Sequence, residues 1–192
     1  MPLDALGEMN DEALLALYAR GDAAATRALT ARFTPRVLAH AYRMLGDRSE
    51  AEDVTQEAMV RLWRIAPQWE AGRAQVSTWL YRVVGNLCTD RLRKRRGVGL
   101  DEIAEPVDET PGAADQMESK ARHSALEDAL AELPDRQRQA VVLRHLEGLA
   151  NPEIAVIMDI STEAVESLTA RGKRALKAAL SPRREELGID DG

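Results

Sequence analysis

The stretch NPEIAVIMDISTEAVESL, residues 151–168, decides the fold of the C-terminal part of this chain. Pro152 fits the first position of a helix that Asn151 can cap, and this helix is expected to end near Met158. After a short turn, Ser161 can cap a second helix. Two short helices joined by a tight turn, with apolar residues at facing positions, predict a helix-turn-helix.

The second helix of such a motif enters the major groove of DNA, with its N-terminal residues at the base edges. The pattern places Glu166 and Ser167 outward, whereas Leu168 either completes the core or faces thymine methyl groups. Residues 167–184 contain six basic residues and no acid, which supplies a surface for phosphate binding. The same geometry also occurs in domains that only pack, so DNA binding is a hypothesis at this point.

The composition favours helices throughout the chain. Hydrophobic residues make up 45% of the 192 residues and aromatic residues only 4%, so the core is expected to consist of Leu, Val, Ile and Ala. Neither an alternating strand pattern nor an internal repeat is evident. The predicted fold class is therefore all-α.

Charge and cysteine content exclude several classes of protein. The net charge of −6 argues against a protein that coats nucleic acid unaided, because such affinity comes from neutralised phosphates. Cys88 is the single cysteine, and His40, His123 and His145 lack paired-ligand spacing, so we expect no disulfide, no metal site and no cofactor. Without an apolar run of membrane-spanning length or a secretion signal, a cytoplasmic protein with no membrane insertion is expected.

Helix signals are dense in the N-terminal half. Asn10 and Asp22 are candidate caps of the first two helices, Pro35 is expected to interrupt the second, and Gly46 is expected to end its continuation. Two longer amphipathic helices follow.

The first of these longer helices begins with Ser49 and Glu52, the pattern of a capping box. Its apolar stripe has spacings of three and four and consists of Ala51, Val54, Ala58, Leu62 and Ile65. A further helix is predicted from about Val76 to Arg96, with Cys88 as a small residue of its core stripe.

The apolar period disappears between residues 97 and 119. This segment carries seven acids, two prolines, three glycines and no Lys or Arg. We interpret it as a flexible acidic linker between two small helical domains, residues 1–96 and 120–192, the second being the helix-turn-helix domain.

Two polar surfaces stand out in the N-terminal domain. Opposite the apolar stripe of the third helix lie Asp53, Gln56, Glu57 and Arg61; such a face is usually only solvated, and Glu57 with Arg61 is an ordinary i,i+4 pair. The second surface, in and after the loop that precedes the fourth helix, consists of Trp69, Trp79, Tyr81, Arg82, Asn86, Arg91 and Arg93. Aromatic rings interleaved with cations suit unpaired nucleic acid, because bases stack on the rings while the backbone follows the charges. A Trp at the start of an amphipathic helix equally fits core packing, so the residues alone leave both interpretations open.

Several stretches resemble the extracytoplasmic-function sigma factors. Residues 53–64 (DVTQEAMVRLWR) are similar to the second region of that family, and residues 77–82 (STWLYR), with Asn86 and residues 90–93 after them, to its promoter-melting segment. Resemblance to the fourth region lies in residues 133–138 (LPDRQR), 148–149, 153–155 and 164–167. Together these stretches cover about residues 10–96 and 120–180, in the order of the family.

The resemblance implies a protein that is not an enzyme, binds core RNA polymerase and directs transcription initiation at selected promoters. It implies that the face formed by Asp53, Gln56, Glu57 and Arg61 meets the polymerase clamp. The aromatic and basic surface would hold the -10 strand of promoter DNA. An anti-sigma factor that keeps the protein inactive until a stress signal arrives is also implied, and we expect the free chain to be a monomer.

In the same way, the last helix would read the -35 element. Glu166, Ser167 and Leu168 are expected near bases, and Arg171, Lys173 and Arg174 near the phosphates. The sequence departs from the family pattern at Trp69, where Phe is expected, and at Gly172, where Ala is usual. The glycine is expected to weaken the helix by up to about 1 kcal/mol relative to Ala.

Two other classes of protein compete with this interpretation. A one-component repressor or activator would form a stable dimer and bind its operator alone, whereas a sigma factor binds DNA weakly until polymerase is added. An enzyme using Cys88 or a histidine would need an activated pair, a glycine-rich phosphate loop or a carboxylate constellation, and the sequence shows none of these.

Overall fold

The computed structural model describes residues 8–97 and 114–183, and for residues 114–122 and 183 the backbone only. Within these ranges the regular structure is entirely helical, which confirms the all-α prediction. The helices are α1 (Asp11–Ala19), α2 (Ala23–Leu45), α3 (Arg48–Ile65), α4 (Val76–Gly97), α5 (Ala114–Ala131), α6 (Asp135–Val141), α7 (Asn151–Met158) and α8 (Thr162–Leu180). Short 3-10 turns follow α3 at Ala66–Gln68 and α8 at Ser181–Arg183, and a π turn at Val142–Leu146 continues α6. None of the described helices is both long enough and apolar enough to cross a membrane.

Side-chain caps set the start of three helices as predicted. Asn10 Oδ1 accepts a hydrogen bond from the Ala13 amide at 2.8 Å, and Asp22 Oδ1 caps α2 in the same way. Ser161 Oγ accepts the Ala164 amide at 3.2 Å at the start of α8. Each cap satisfies an amide that the first turn of a helix leaves free.

Two predicted caps are wrong. The cap of α3 is Asp47, whose carboxylate accepts the Glu50 amide at 2.8 Å, so the helix starts before Ser49 and no capping box forms there. Asn151 is already the first residue of α7, and the amide of Ala150 before it donates to the Glu153 carboxylate at 2.9 Å. At α3 a neighbouring carboxylate thus replaces the predicted cap, whereas at α7 Glu153 satisfies only the amide of the residue before the helix.

The predicted interruption at Pro35 is also wrong, because α2 continues through it. A proline inside a helix leaves the carbonyl four residues earlier without its hydrogen bond. Pro35 and Ala31 are both exposed, so that carbonyl faces water, while Phe33 and Val37 anchor the helix on either side of the proline in the core. Tertiary packing therefore outweighs the local preference.

Helices α1 to α4 enclose the core of the N-terminal domain. Its largest fully buried side chains are Leu14, Leu15, Leu29, Phe33, Met44, Leu62 and Leu80. Cys88 is also fully buried in this core, as predicted, and burial raises the pKa of its thiol to about 12. The thiol therefore stays protonated and unreactive at neutral pH.

Helices α5 to α8 form the C-terminal domain. Ile154, Met158 and Val165 are buried where the helix-turn-helix needs its shared core. Gly172 is buried as well, because α8 passes so close to α6 that an added Cβ would lie 2.4 Å from Val141 Cγ2. A glycine that sequence alone marks as a weak point of the helix is thus a point of close helix contact.

The predicted linker overlaps with a helix at its C-terminal end. Helix α5 begins at Ala114, so residues 114–119, assigned to the linker, are helical. The rest of the predicted linker, residues 98–113, lies outside the described residues. The two domains are in contact, with α2 and α4 packed against helices of the C-terminal domain.

Candidate protein and nucleic-acid interfaces

The polar face of α3 is exposed in the structure. Asp53, Gln56 and Arg61 are exposed and Glu57 is half-buried, with Arg61 donating to Glu57 at 2.6 Å. The four residues therefore lie together on one solvent-facing side of α3, as the sequence predicted.

An open groove of about 530 Å³ lies along this face, lined by Asp53, Gln56, Glu57, Val60, Arg61, Arg64 and Arg91. Val60 is 38% exposed, which gives the groove an apolar floor beside its charges. Sequence reasoning omitted Val60, although its position four residues after Gln56 places it on the same helix face.

The structure places Arg91 beside this groove and not with the other predicted DNA residues. Its guanidinium lies 3.9 Å from the Asp53 carboxylate, across the contact between α4 and α3. Arg91 therefore belongs to the lining of the α3 groove, although it is on α4 and the sequence assigned it to nucleic acid alone.

The loop between Trp69 and Val76 is exposed from residue 70 to residue 75. The rings of Trp69 and Trp79 meet edge to face, with centroids 6.1 Å apart, and both pack against the N-terminal core. Gly72 adopts φ +79°, and its amide donates to Glu12 Oε1 at 3.0 Å. The two indoles thus support the base of the loop, and Glu12 of α1 holds its tip.

The outer face of α4 carries Arg82, Asn86 and Arg93, all exposed. Further along, Arg95 is already engaged, because it donates to the Leu45 carbonyl at 2.9 Å and pairs with Glu50. Fewer of the basic residues at 93–96 are therefore available to bind DNA than the sequence indicates.

Tyr81 is separated from this face. Its side chain is only 3% exposed and packs with Ile154, Ile157 and Met158 of the C-terminal domain. Its hydroxyl donates to Glu147 Oε2 at 2.7 Å. Burial, followed by the hydrogen bond and charge of Glu147, raises the pKa of the phenol to about 12.

The outer face of α8 is arranged as the helix-turn-helix pattern predicts. Glu166, Arg171, Lys173 and Arg174 are exposed, and Ser167 is half-buried. Leu168 packs against the core of the C-terminal domain, so of the two possibilities left open by the sequence the structure favours the core.

Comparison with known proteins identifies the family. Sigma-70 region 2 matches residues 29–98, and Sigma-70 region 4 matches residues 123–176. The ECF RNA polymerase sigma factor SigW of Bacillus subtilis is 30% identical over 172 residues, which cover 84% of this chain and 91% of SigW. The chain belongs to the ECF sigma factors. As such it binds core RNA polymerase and promoter DNA, directs transcription initiation, and is not an enzyme.

A further relative agrees with this assignment, and two solved structures share the fold. SigE of Mycolicibacterium smegmatis, also an ECF sigma factor, is 32% identical over 176 residues, covering 88% of this ECF sigma factor and 67% of SigE. Among solved structures, CnrH in complex with the cytosolic domain of CnrY shares the fold with a TM-score of 0.67 and 26% identity, covering 90% of this chain and 97% of CnrH. The sigma factor RpoE of Bartonella quintana, solved with the anti-sigma factor NepR, has a TM-score of 0.63 at 21% identity, covering 81% of this chain and 96% of RpoE.

Proposed function

We propose that the groove along α3 is the surface by which this ECF sigma factor docks on core polymerase. The observation that carries the proposal is the combination of Asp53, Gln56, Glu57 and Arg61 with the exposed Val60 in one open groove. Charged and amide groups around an apolar patch are the usual composition of a protein interface.

Charge reversal at Glu57 tests the docking surface, with Glu52→Lys as the matched control. Both glutamates are on α3 and each is in an i,i+4 ion pair, with Arg61 at 2.6 Å and Arg48 at 3.0 Å, but only Glu57 lines the groove. We expect Glu57→Lys to weaken binding to core polymerase tenfold or more and Glu52→Lys to have little effect. Both should unfold within about 1 kcal/mol of the parent. Equal polymerase affinities for the two variants would refute the assignment.

The -10 function is assigned to α4 and the loop before it. Arg82, Asn86 and Arg93 would follow the backbone of the melted strand, and the loop between Trp69 and Val76 would capture an unstacked base. Unstacking costs a few kcal/mol per step, which these contacts must offset. A holoenzyme with Arg82 and Arg93 changed to Ala should bind duplex promoter but start transcription poorly, and a pre-melted template should restore starts. Failure on the pre-melted template as well would contradict a role in melting.

The -35 function is assigned to α8, with Glu166 and Ser167 near the bases and Arg171, Lys173 and Arg174 near the phosphates. Leu168 leaves this set because it packs in the core. The domain limits 1–96 and 120–192 remain predictions.

We further propose that the protein acts in the cytoplasm and that an anti-sigma factor covers its polymerase surface until a stress signal releases it. Support comes from CnrH, which is 26% identical and was solved with a second protein, the cytosolic domain of CnrY. The test is to isolate the full chain from resting and from stressed cells. A bound protein that core polymerase displaces, and that is lost under stress, is the expected result. Recovery of the chain alone from resting cells would contradict the proposal.

A further inference from the structure

The contact between the two domains contains a buried carboxylate. The side chain of Glu147, directly after the π turn of the C-terminal domain, is only 8% exposed. Its Oε1 accepts from Arg43 at 2.7 Å and lies 3.8 Å from His40 Nδ1, and its Oε2 accepts from the Tyr81 hydroxyl at 2.7 Å. These three partners belong to α2 and α4 of the N-terminal domain, so a charge of one domain is held by groups of the other.

This arrangement makes the contact between the domains specific. Burial alone would raise the pKa of Glu147, but the neighbouring His40, the hydrogen bond from Tyr81 and the charge of Arg43 outweigh it and lower the pKa below its ordinary value. A buried carboxylate is tolerated only when it is paired in this way. When the domains separate, water can replace all three partners of Glu147, so the association of the two domains is reversible.

Close packing around Glu147 covers part of α4. The ring of His40 meets that of Tyr81 edge to face at 5.1 Å, and an added Cβ on Gly85 would lie 2.3 Å from the side-chain nitrogen Nε2 of Gln139. Arg138 of α6 also donates to the Met44 carbonyl at the end of α2. The covered side of α4 adjoins the exposed Arg82 and Asn86.

We propose that Glu147, with Arg43, His40 and Tyr81, forms an inter-domain latch that holds the free protein closed and hides Tyr81 from promoter DNA. The proposal rests on the -10 function assigned above to α4. In the closed protein the C-terminal domain occupies the space that a strand following Arg82 and reaching Tyr81 would need. Opening the latch exposes an aromatic ring next to the cations, as single-strand binding requires.

The test uses the full chain with Glu147→Gln, Arg43→Gln and, as a matched control, Glu132→Gln. Glu132 is an exposed acid of the same domain as Glu147, so its variant has the same change in charge without the latch. Small-angle scattering measures the radius of gyration, and fluorescence anisotropy measures binding of a labelled single-stranded oligonucleotide of random sequence. Circular dichroism checks that the helices remain.

Loss of a charge-assisted hydrogen bond should shift the ratio of closed to open protein by roughly tenfold or more. We expect both latch variants to have a larger radius of gyration and to bind the oligonucleotide severalfold more tightly than the control. Arg43→Gln is the more demanding case, because it removes a positive charge and by itself would weaken DNA binding. If Glu147→Gln loses helical content, the proposal is tested with Arg43→Gln alone, because this variant breaks the latch from the other domain.

The proposal is overturned if neither latch variant differs from Glu132→Gln in radius of gyration. An expanded chain with unchanged oligonucleotide affinity would also overturn it, since Tyr81 would then not be masked. Failure of the -10 assignment is detected separately, by the Arg82 and Arg93 variants in holoenzyme on pre-melted templates.

Discussion

Replacing Gly172 with Ala tests whether α8 depends on a close backbone approach to α6. The new Cβ would lie 2.4 Å from Val141 Cγ2 and 3.3 Å from the carbonyl oxygen of Gln137. Val141 is 2% exposed, and the χ1 angle of a β-branched residue in a helix has one strongly preferred value, so its methyl group cannot swing away. The two helices would have to move apart.

Two effects of opposite sign set the size of the change. Ala is favoured over Gly in a helix interior by up to about 1 kcal/mol. Overpacking a tight core costs about 1 to 3 kcal/mol, and a contact this short belongs at the upper end. We therefore expect Gly172→Ala to lower the free energy of unfolding by about 2 kcal/mol, although helix propensity alone predicts an increase.

Urea unfolding of the full chain, followed by far-ultraviolet circular dichroism, measures this change. A double-mutant cycle with Val141→Ala identifies the contact, because Gly172→Ala should cost little once the Val141 methyl groups are gone. Stability equal to or above that of the parent for Gly172→Ala alone would refute the close approach.

Three further predictions concern single substitutions. Changing Glu147 to Gln should lower the phenol pKa of Tyr81 from about 12 toward the ordinary 10, as measured by phenolate absorbance. Because the pKa is raised in the folded protein, the stability that the protonated phenol contributes is complete below pH 10 and is lost as the pH rises through about 12. An unchanged titration in the variant would contradict the hydrogen bond. Changing Glu166 to Ala should cost roughly 1 to 3 kcal/mol of binding free energy on the preferred -35 sequence and relax selectivity at one position. Arg171→Ala should instead weaken binding to all promoters and lower the salt dependence of binding by about one unit of slope. The reverse pattern in promoter-binding assays would mean that α8 is rotated in the groove. Changing the exposed Pro35 to Ala should raise the unfolding free energy by about 1 to 2 kcal/mol, since it restores a helix hydrogen bond and removes no buried contact, and a loss of stability in urea would contradict this account.

Local signals in the sequence predicted the helices well because caps and apolar spacing act within one or two turns. Asn10, Asp22 and Ser161 cap as expected, and the stripe through Val54 and Leu62 is buried. Where such signals failed, a neighbouring group competed at short range, as Asp47 did with Ser49, or core packing prevailed, as around Pro35. In these cases the sequence pattern was sufficient to predict that a helix forms, but not where it begins or whether it is interrupted.

The contact between the domains could not be predicted in this way. Glu147 is 104 positions from Arg43 and 66 from Tyr81, and no local pattern distinguishes it from other acids. Tyr81 beside Arg82 has the composition of a nucleic-acid surface, yet its burial depends on a domain that begins beyond residue 113. The groove residues of α3, by contrast, share one helix face and were predictable as a group.

The edge-to-face pair of Trp69 and Trp79 also has a spectroscopic use. With Trp63 they are the only tryptophans of the chain, and all three lie in the N-terminal domain. Indole emission therefore reports on that domain alone, while helical dichroism reports on both. Recording the two signals in one titration separates the unfolding of the domains without any added label, and their coincidence or divergence measures how strongly one domain stabilises the other.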